Sequence, residues 1–433
     1  MLEKLLAVGI LALTLSLVMS ERVHRTLAAM IGALLVFLAG LLTAQDILDP
    51  DGPVHWEALG LIFGMFVMIH VLQEVGFFKW VGLRILMFAR FRALRIFVLF
   101  SLTSAVLSAF MDSITVLLFM ASLTIEIARI LRISPVPFII AEITSANIGG
   151  SATMVGDPPN IIIGTSLGYS FTDFVVNIGP IAVAAFLANL VFFHIYFRRQ
   201  LGSMTIDSRE LAKVYKYLRP PPERAIKDRR TMVAALAILT FSIALIIMHG
   251  ALGISVAVIG IIGAVLTMLV AGGRFPDMME RIDWKTLLFF FGLFIVVGGL
   301  ESAGVTADIA GGLASLSGGN VLLAMTILLW FTTLFSALID DVPLAATMVP
   351  VIRNLASSTG MDQGALAWAT CVGCDMGGNA SPIAASGNVV GLSVLERSGR
   401  RVSWREYCRA AVPATVLVIL LCNVILVARY LLF

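Results

Sequence analysis

Charge is scarce in this sequence. Asp, Glu, Lys and Arg make up 13% of its 433 residues against 59% hydrophobic residues, and the mean hydropathy is +0.99. A water-soluble domain carries about a quarter of its residues charged, so a soluble globule is excluded and a polytopic membrane protein is expected. The net charge of +3 comes from basic residues gathered in a few loops, a pattern of membrane topology and not of nucleic-acid binding. Cysteine is also sparse: the four, at 371, 374, 408 and 422, lie in or beside apolar runs and make no extracellular disulfide framework. Cys371-Val372-Gly373-Cys374 is a single pair with no His or second pair to complete a zinc set, and reads as packing of small residues. A phosphate-binding G-x-x-x-x-G-K-[ST] is missing, since GGSATMVGDPP has the glycines without the lysine, so the chain itself does not hydrolyse ATP. Nothing else in it points to an enzyme, a resident metal or a cofactor. The first apolar run, Leu5 to Met19, has no small-residue cleavage site and is expected to be a retained span.

What is present is apolar length. Runs of spanning size, about 20 residues, cover approximately 3–20, 26–43, 57–75, 175–197, 231–249, 253–271, 285–300 and 410–432. Two kinds of interrupted stretch remain. In the first half, 94–110 and 114–131 flank Asp112-Ser113 and predict a re-entrant helical hairpin with a polar tip. The stretch 136–168, broken by GGSATMVGDPP, predicts two half-helices joined by unwound backbone, tolerable at membrane depth only where protein or a water-filled cavity satisfies its polar groups. Both kinds recur in the second half at a constant separation of 228 positions. SAFMDSITVLLFM from Ser108 matches SALIDDVPLAATM from Ser336, placing Asp112 on Asp340. SANIGGSATMVGDPPNII from Ser145 falls on GCDMGGNASPIAASGNVV from Gly373, and Trp56, Gly64, Phe66 and Gly76 fall on Trp284, Gly292, Phe294 and Gly304. Matching breaks in two hydrophobic halves are the sequence pointer to the substrate site of a secondary transporter.

The positive-inside rule makes segment 198–230, with ten Lys and Arg, cytoplasmic. Counting back through five crossings places the amino terminus outside, sends Arg22, His24 and Arg25 inward, leaves DILDPDG outside and returns the basic residues from Lys79 to Arg132 to the cytoplasm. The second half follows, with GGRFPDMMERIDWK and ERSGRRVSWREYCR inside; only Arg353, near the outer end of its hairpin, goes against the rule. Five is odd, so the halves are expected to be inverted repeats, each with one hairpin, and both termini extracytoplasmic. Residues 77–92 predict an interfacial amphipathic helix, its counterpart from Val305 to Ser317 is less clearly helical, and 201–230 is expected to be a solvated linker.

An ionisable group inside a bilayer costs several kcal/mol unless paired or hydrated. Asp112, Asp157, Asp340, Asp341 and Asp375 all sit at the breaks. They either bind a coupling cation or proton, Asp112 and Asp340 foremost, or cap buried half-helices. Asn147, Ser151, Thr153, Asn160, Asn379, Ser381, Ser386 and Asn388 supply neutral hydrogen-bonding groups at the same depth, suited to a small polar solute or to helix packing. Glycines 149, 150, 156, 377, 378 and 387 allow close backbone approach and unusual dihedrals. His70, His194 and His249 are expected near the interface, and Glu126 and Glu142 line the inner vestibule or pair with Arg129 or another basic group.

The motifs SAFMDSITVLL, NIGGSATMVGDPPNIIIG, ALIDDVPLAATMVPV and GGNASPIAASGNVVG resemble the arsenite-efflux-pump and melanosomal P-protein branch of the ion transporter superfamily, whose members share a citrate-transporter-like domain. The resemblance covers both halves. It implies an all-α elevator-type transporter, with a scaffold from 1–92 and 231–319 and a moving transport part from 93–200 and 320–433, assembled as a homodimer. It implies further that Asp112, Ser113, Thr115, Asn147, Asp157, Asn160, Asp340, Asp341, Asp375 and Asn388 hold substrate and cation. Dicarboxylate relatives carry Ser-Asn-Thr at the hairpin tips. Here the tips read Asp112-Ser113-Ile114-Thr115 and Asp340-Asp341-Val342-Pro343, a departure that favours a cation, a proton or a neutral metalloid. The expected function is secondary active efflux of a small inorganic solute, arsenite or antimonite first, across the inner (plasma) membrane, coupled to H+ or Na+. A separate cytoplasmic ATPase is a possible partner. A sodium/proton antiporter, an anion or carboxylate transporter and a passive anion channel are the alternatives.

Overall fold

The structure is a computed structural model that describes residues 1–433 except 21, 50–51, 90–91, 132, 203–224, 273–278, 281 and 433; most of the expected linker at 201–230 therefore lies outside the described residues. Every described element is helical. The first half comprises α1 (Leu2–Met19), α2 (Arg25–Leu38), α3 (Ala44–Leu48), α4 (Trp56–Glu74), α5 (Phe77–Phe88), α6 (Ala93–Ser108), α7 (Ser113–Leu131), α8 (Val136–Gly150), α9 (Pro158–Leu167), α10 (Phe171–Asn177), α11 (Gly179–Tyr196) and α12 (Arg198–Gly202). The second comprises α13 (Arg229–Leu252), α14 (Val256–Ala271), α15 (Trp284–Ser302), α16 (Val305–Ser317), α17 (Val321–Ser336), α18 (Asp341–Thr359), α19 (Gln363–Gly377), α20 (Ser386–Arg397) and α21 (Trp404–Leu432). Among the described residues six helices, α1, α4, α11, α13, α15 and α21, are long and apolar enough to cross a membrane.

The duplication is carried into the helix ends. α15, α17 and α18 reproduce the bounds of α4, α6 and α7 at the 228-residue separation, residue for residue. The turn after α4 and the turn after α15 are made by matching glycines in the left-handed region, Gly76 at φ 87° and Gly304 at φ 75°, where an L side chain would be strained. Each opens a short helix, so 305–317 is as helical as 77–88. α5 turns one face inward: Phe78, Gly82 and Leu86 are buried, and the Phe78 ring sits 5.7 Å from Phe119 of α7. The run expected to span 26–43 stops at Leu38, because Gly40 turns at φ 69° and Thr43 caps α3 with Asp46 in a reciprocal box.

Packing between halves is reciprocal. α4 packs on α14 while its counterpart α15 packs on α2, and α7 packs on α20 while its counterpart α18 packs on α9. Lipid supplies no hydrophobic drive between helices, so close backbone approach at small residues takes over. A Cβ on Gly64 would fall 2.3 Å from the Gly260 carbonyl oxygen, and one on Gly292 2.9 Å from the Ala29 carbonyl carbon. The same device clamps the broken helices: Gly149 presses on Ala105 and Gly377 on Thr333, again equivalent pairs. None of glycines 149, 150, 156, 377, 378 and 387 has positive φ. They serve close approach and not unusual dihedrals.

Candidate functional site

Both hairpins break where expected. The chain leaves α6 at Ser108 and re-enters helix at Ser113; it leaves α17 at Ser336 and re-enters at Asp341. An aspartate caps each new helix. Asp112 Oδ1 accepts from the Thr115 backbone N–H and Oδ2 from the Thr115 hydroxyl, both at 2.9 Å. Asp340 accepts from the Val342 N–H at 3.2 Å and from the Ser386 hydroxyl at 3.4 Å. Capping satisfies orphan N–H groups that lipid cannot, and it fixes both carboxylates at the tips. Asp157 precedes α9, and its side chain makes no cap bond.

Asp112, Asp340, Asp157 and Asp341 line one cavity of about 160 Å³, with Ser113, Thr115 and Asp283 in the same wall. Like charges in so small a space repel one another and favour whatever brings positive charge. One cation is already there. Arg25, at the start of α2, donates from Nη1 to Ser386 Oγ at 2.8 Å and from Nη2 to Thr286 Oγ1 at 2.9 Å, and its guanidinium lies 5.5 Å from the centre of the Phe289 ring. Thr286 in turn donates to Asp283 at 2.6 Å, and Ser386 reaches Asp340. One relay, Asp283–Thr286–Arg25–Ser386–Asp340, thus ties the starts of α2 and α15 to a hairpin tip.

The remaining residues expected at the site do not line this cavity. Asn147, Ser151, Thr153, Asn160, Asp375, Asn379, Ser381 and Asn388 form a buried seam behind it. Asn160 Nδ2 donates to the carbonyls of Gly150, Ser151 and Thr153 at 3.1–3.3 Å, and Asn388 Nδ2 to those of Gly378 and Ser381 at 2.8 Å. Each asparagine thereby holds the unwound loop of its own half. Asn147 crosses between halves, donating to Asn379 Oδ1 and Asn388 Oδ1 at 2.9 Å. Ser151 turns away to the Ile148 carbonyl and Thr153 to that of Ala109.

Other expectations need correction. His70 is no interfacial residue but lines the cavity. Glu142 neither lines a vestibule nor pairs with Arg129: it is fully buried and accepts from Thr124 Oγ1 at 2.5 Å. Arg25, Thr286 and Asp283 were missed as site residues, although a D-x-x-T at 283–286 is a helix-start signal and Arg25 is the basic residue at the edge of an apolar run.

A second cavity, about 1,100 Å³, lies at the far end of the same helices. It is lined by His55, Trp56 and Glu57 at the start of α4 and by Gly298, Glu301 and Ser302 at the end of α15, with Asp46 and Arg353. The first cavity takes the end of α4 (Phe66 to Gln73) and the start of α15 (Asp283 to Phe290). Equivalent helices therefore run in opposite senses between the two cavities. Arg353, the one basic residue out of place by charge placement, donates to the Ser166 carbonyl at 3.0 Å and lies 3.9 Å from Glu301.

Burial, and then the nearby Arg353 guanidinium, push the His55 imidazole from its ordinary 6.5 down to about 4. Between those values the unfolded chain binds the proton and the folded one does not. The stabilisation is therefore full above pH 6.5 and is lost as pH falls toward 4, about 3 kcal/mol in all. Melting of the purified protein followed from about pH 7 to about pH 4.5 is expected to show this loss, with His55→Asn flattening the profile.

A multi-pass helical bundle in which polar breaks of two halves meet at a small buried cavity defines a membrane transporter and not an enzyme. The chain belongs to the CitMHS family, described as "Citrate transporter", which matches residues 15–373. It is 34% identical to an uncharacterized transporter of Mycobacterium bovis over 98% of both chains, and 33% identical to the 46 kDa membrane protein of Mycobacterium leprae over 98% of this chain and 99% of that one. The mouse P protein is 28% identical, covering 95% of this chain and 58% of its own length. In fold the chain is similar to the Alcanivorax borkumensis YdaH transporter, with TM-score 0.59, 15% identity, and 94% and 98% of the two chains covered. It is also similar to Neisseria gonorrhoeae MtrF, with TM-score 0.53, 11% identity, and 92% and 84% covered.

Proposed function

We propose that this protein is an ion-coupled secondary transporter of the inner membrane that exports a small inorganic solute, arsenite or antimonite foremost, by moving its hairpin-bearing part against a scaffold. The observation that carries this reading is the cavity lined by hairpin-tip carboxylates of both halves, Asp112 from one and Asp340 and Asp341 from the other. Its volume of about 160 Å³ is in keeping with a solute of few atoms. The opposite senses of α4 and α15 and the reciprocal packing support two inverted repeats. The parts 1–92 with 231–319 are the scaffold, 93–200 with 320–433 the transport part, both termini are extracytoplasmic, and a homodimer is the functional form.

The family description names citrate. A bare tricarboxylate is disfavoured here, because Asp112, Asp157, Asp283, Asp340 and Asp341 surround the cavity and, among the described residues, Arg25 is the one Lys or Arg that lines it. The same excess of acid supports a second reading, a sodium/proton antiporter using these aspartates with no other substrate. Flux in proteoliposomes separates the readings: uphill arsenite movement is expected, together with restored growth of an arsenite-sensitive host. Sodium-linked pH change without arsenite movement would replace this reading with the second, and uncoupled conductance would make the protein a channel.

A further inference from the structure

Among the differences between the two halves along the seam, the one between Asn147 and Asp375 assigns a proton. Asn147 and Asp375 are equivalent at the 228-residue separation, as are Asn388 and Asn160. On one side of the seam Asn147 Nδ2 donates to Asn388 Oδ1 at 2.9 Å. On the other side the Asn160 side chain lies beside Asp375 with its NH2 within reach of the carboxylate, but that NH2 is already engaged by three loop carbonyls and no hydrogen bond joins the two residues. Asn160 Oδ1 and both Asp375 carboxylate oxygens are fully buried and lack a hydrogen bond. As an anion, Asp375 has beside it only an N–H donor already committed to loop carbonyls, and an orphaned buried group costs about 1–3 kcal/mol, more when charged. The ionisable groups around it are themselves acids: Asp157 before α9, Asp341 of α18, and the thiols of Cys371 and Cys374 on its own helix.

We propose that Asp375 carries a proton, that this O–H donates to Asn160 Oδ1 as Asn147 donates to Asn388, and that it is the coupling proton of transport. The inference rests on the ion-coupled reading above and names its ion and carrier. Asp375 lies one layer behind the cavity wall. Its proton leaves the carboxyl oxygen for the carboxylate of Asp157 or Asp341, both of which face the cavity, and passes from there to water; the return reverses those transfers. With the proton gone, two oxygens oppose each other across the seam, which loosens one half's unwound loop while the Asn147 side stays tied. Proton loss is thereby linked to movement.

Infrared difference spectroscopy on the full chain in lipid tests the assignment without a substrate. The C=O stretch of an undissociated carboxylic acid is expected at neutral pH, lost in Asp375→Asn and kept in Asp112→Asn and Asp340→Asn. Asn147→Asp is expected to add a second such band at the mirrored position. Asp375→Asn restores the N–H donor found on the other side, so its melting temperature is expected to match the unmodified chain. An unchanged spectrum in Asp375→Asn overturns the proposal, as does a wild-type band that sodium removes at constant pH, which would make the seam a metal-cation site. In proteoliposomes with arsenite as probe, Asp375→Asn is expected to cut the arsenite-driven pH change at least about tenfold, equivalent to about 1.4 kcal/mol. An undiminished pH change overturns the coupling role. If the unmodified chain moves no arsenite, the arsenite reading fails, and the infrared result still decides whether Asp375 is protonated.

Discussion

Replacing Asp112 or Asp340 by alanine is expected to abolish gradient-driven transport, with initial uphill rates down by roughly 100- to 1000-fold. That follows if the lost partner leaves a bound cation unpaired in a buried site, a change worth about 3–5 kcal/mol. Alanine also removes a helix cap, since Asp112 accepts twice from Thr115 and Asp340 accepts from the Val342 N–H, and a lost cap costs about 1 kcal/mol of stability. Asparagine separates the two effects, because it caps as well as aspartate but carries no charge. Asp340→Asn is therefore expected to melt like the unmodified protein and to transport no better than Asp340→Ala. Initial rates and melting curves on the four variants measure both quantities, and full transport in the asparagine variants would reduce these residues to caps.

Arg25→Gln is expected to lower the transport rate by about 100-fold. Arg25 reaches Ser386 and Thr286 with separate nitrogens and covers Phe289, so its loss unbalances the acidic cavity and cuts the relay from Asp283 to Asp340. A buried charge left unpaired costs about 3 kcal/mol or more. Arg25→Lys keeps the charge without the planar fork and is expected to recover only part of the rate. A full recovery would mean that charge alone matters, while a normal rate in Arg25→Gln would remove Arg25 from the mechanism.

The frame of this fold was legible because the features that break helices are chemically distinct from those that build them. Asp112-Ser113, Asp340-Asp341 and the GG-containing loops interrupt apolar sequence, and the structure ends its helices there. Residue type could not separate lining from seam. Asn147, Asn160 and Asn388 have the hydrogen-bonding capacity to hold a solute, and the fold spends that capacity on loop carbonyls and on each other. Arg25 was visible only as a topological charge, because its partners lie 261 and 361 positions away and no local pattern joins them. His70 and Glu142 were misplaced for the same reason: periodicity gives a depth in the membrane but not a facing direction where a helix, like α4 or α8, is buried nearly all round.

The proposal that one central cavity serves both sides of the membrane is tested most directly at Ser113, which lines the cavity and lies beside Asp112. In a chain with its four native cysteines replaced by serine or alanine, Ser113→Cys is exposed to a membrane-impermeant thiol reagent in right-side-out and inside-out vesicles. Reaction from either face, slowed by arsenite, is the predicted result. Reaction from one face alone, or from neither, would contradict it.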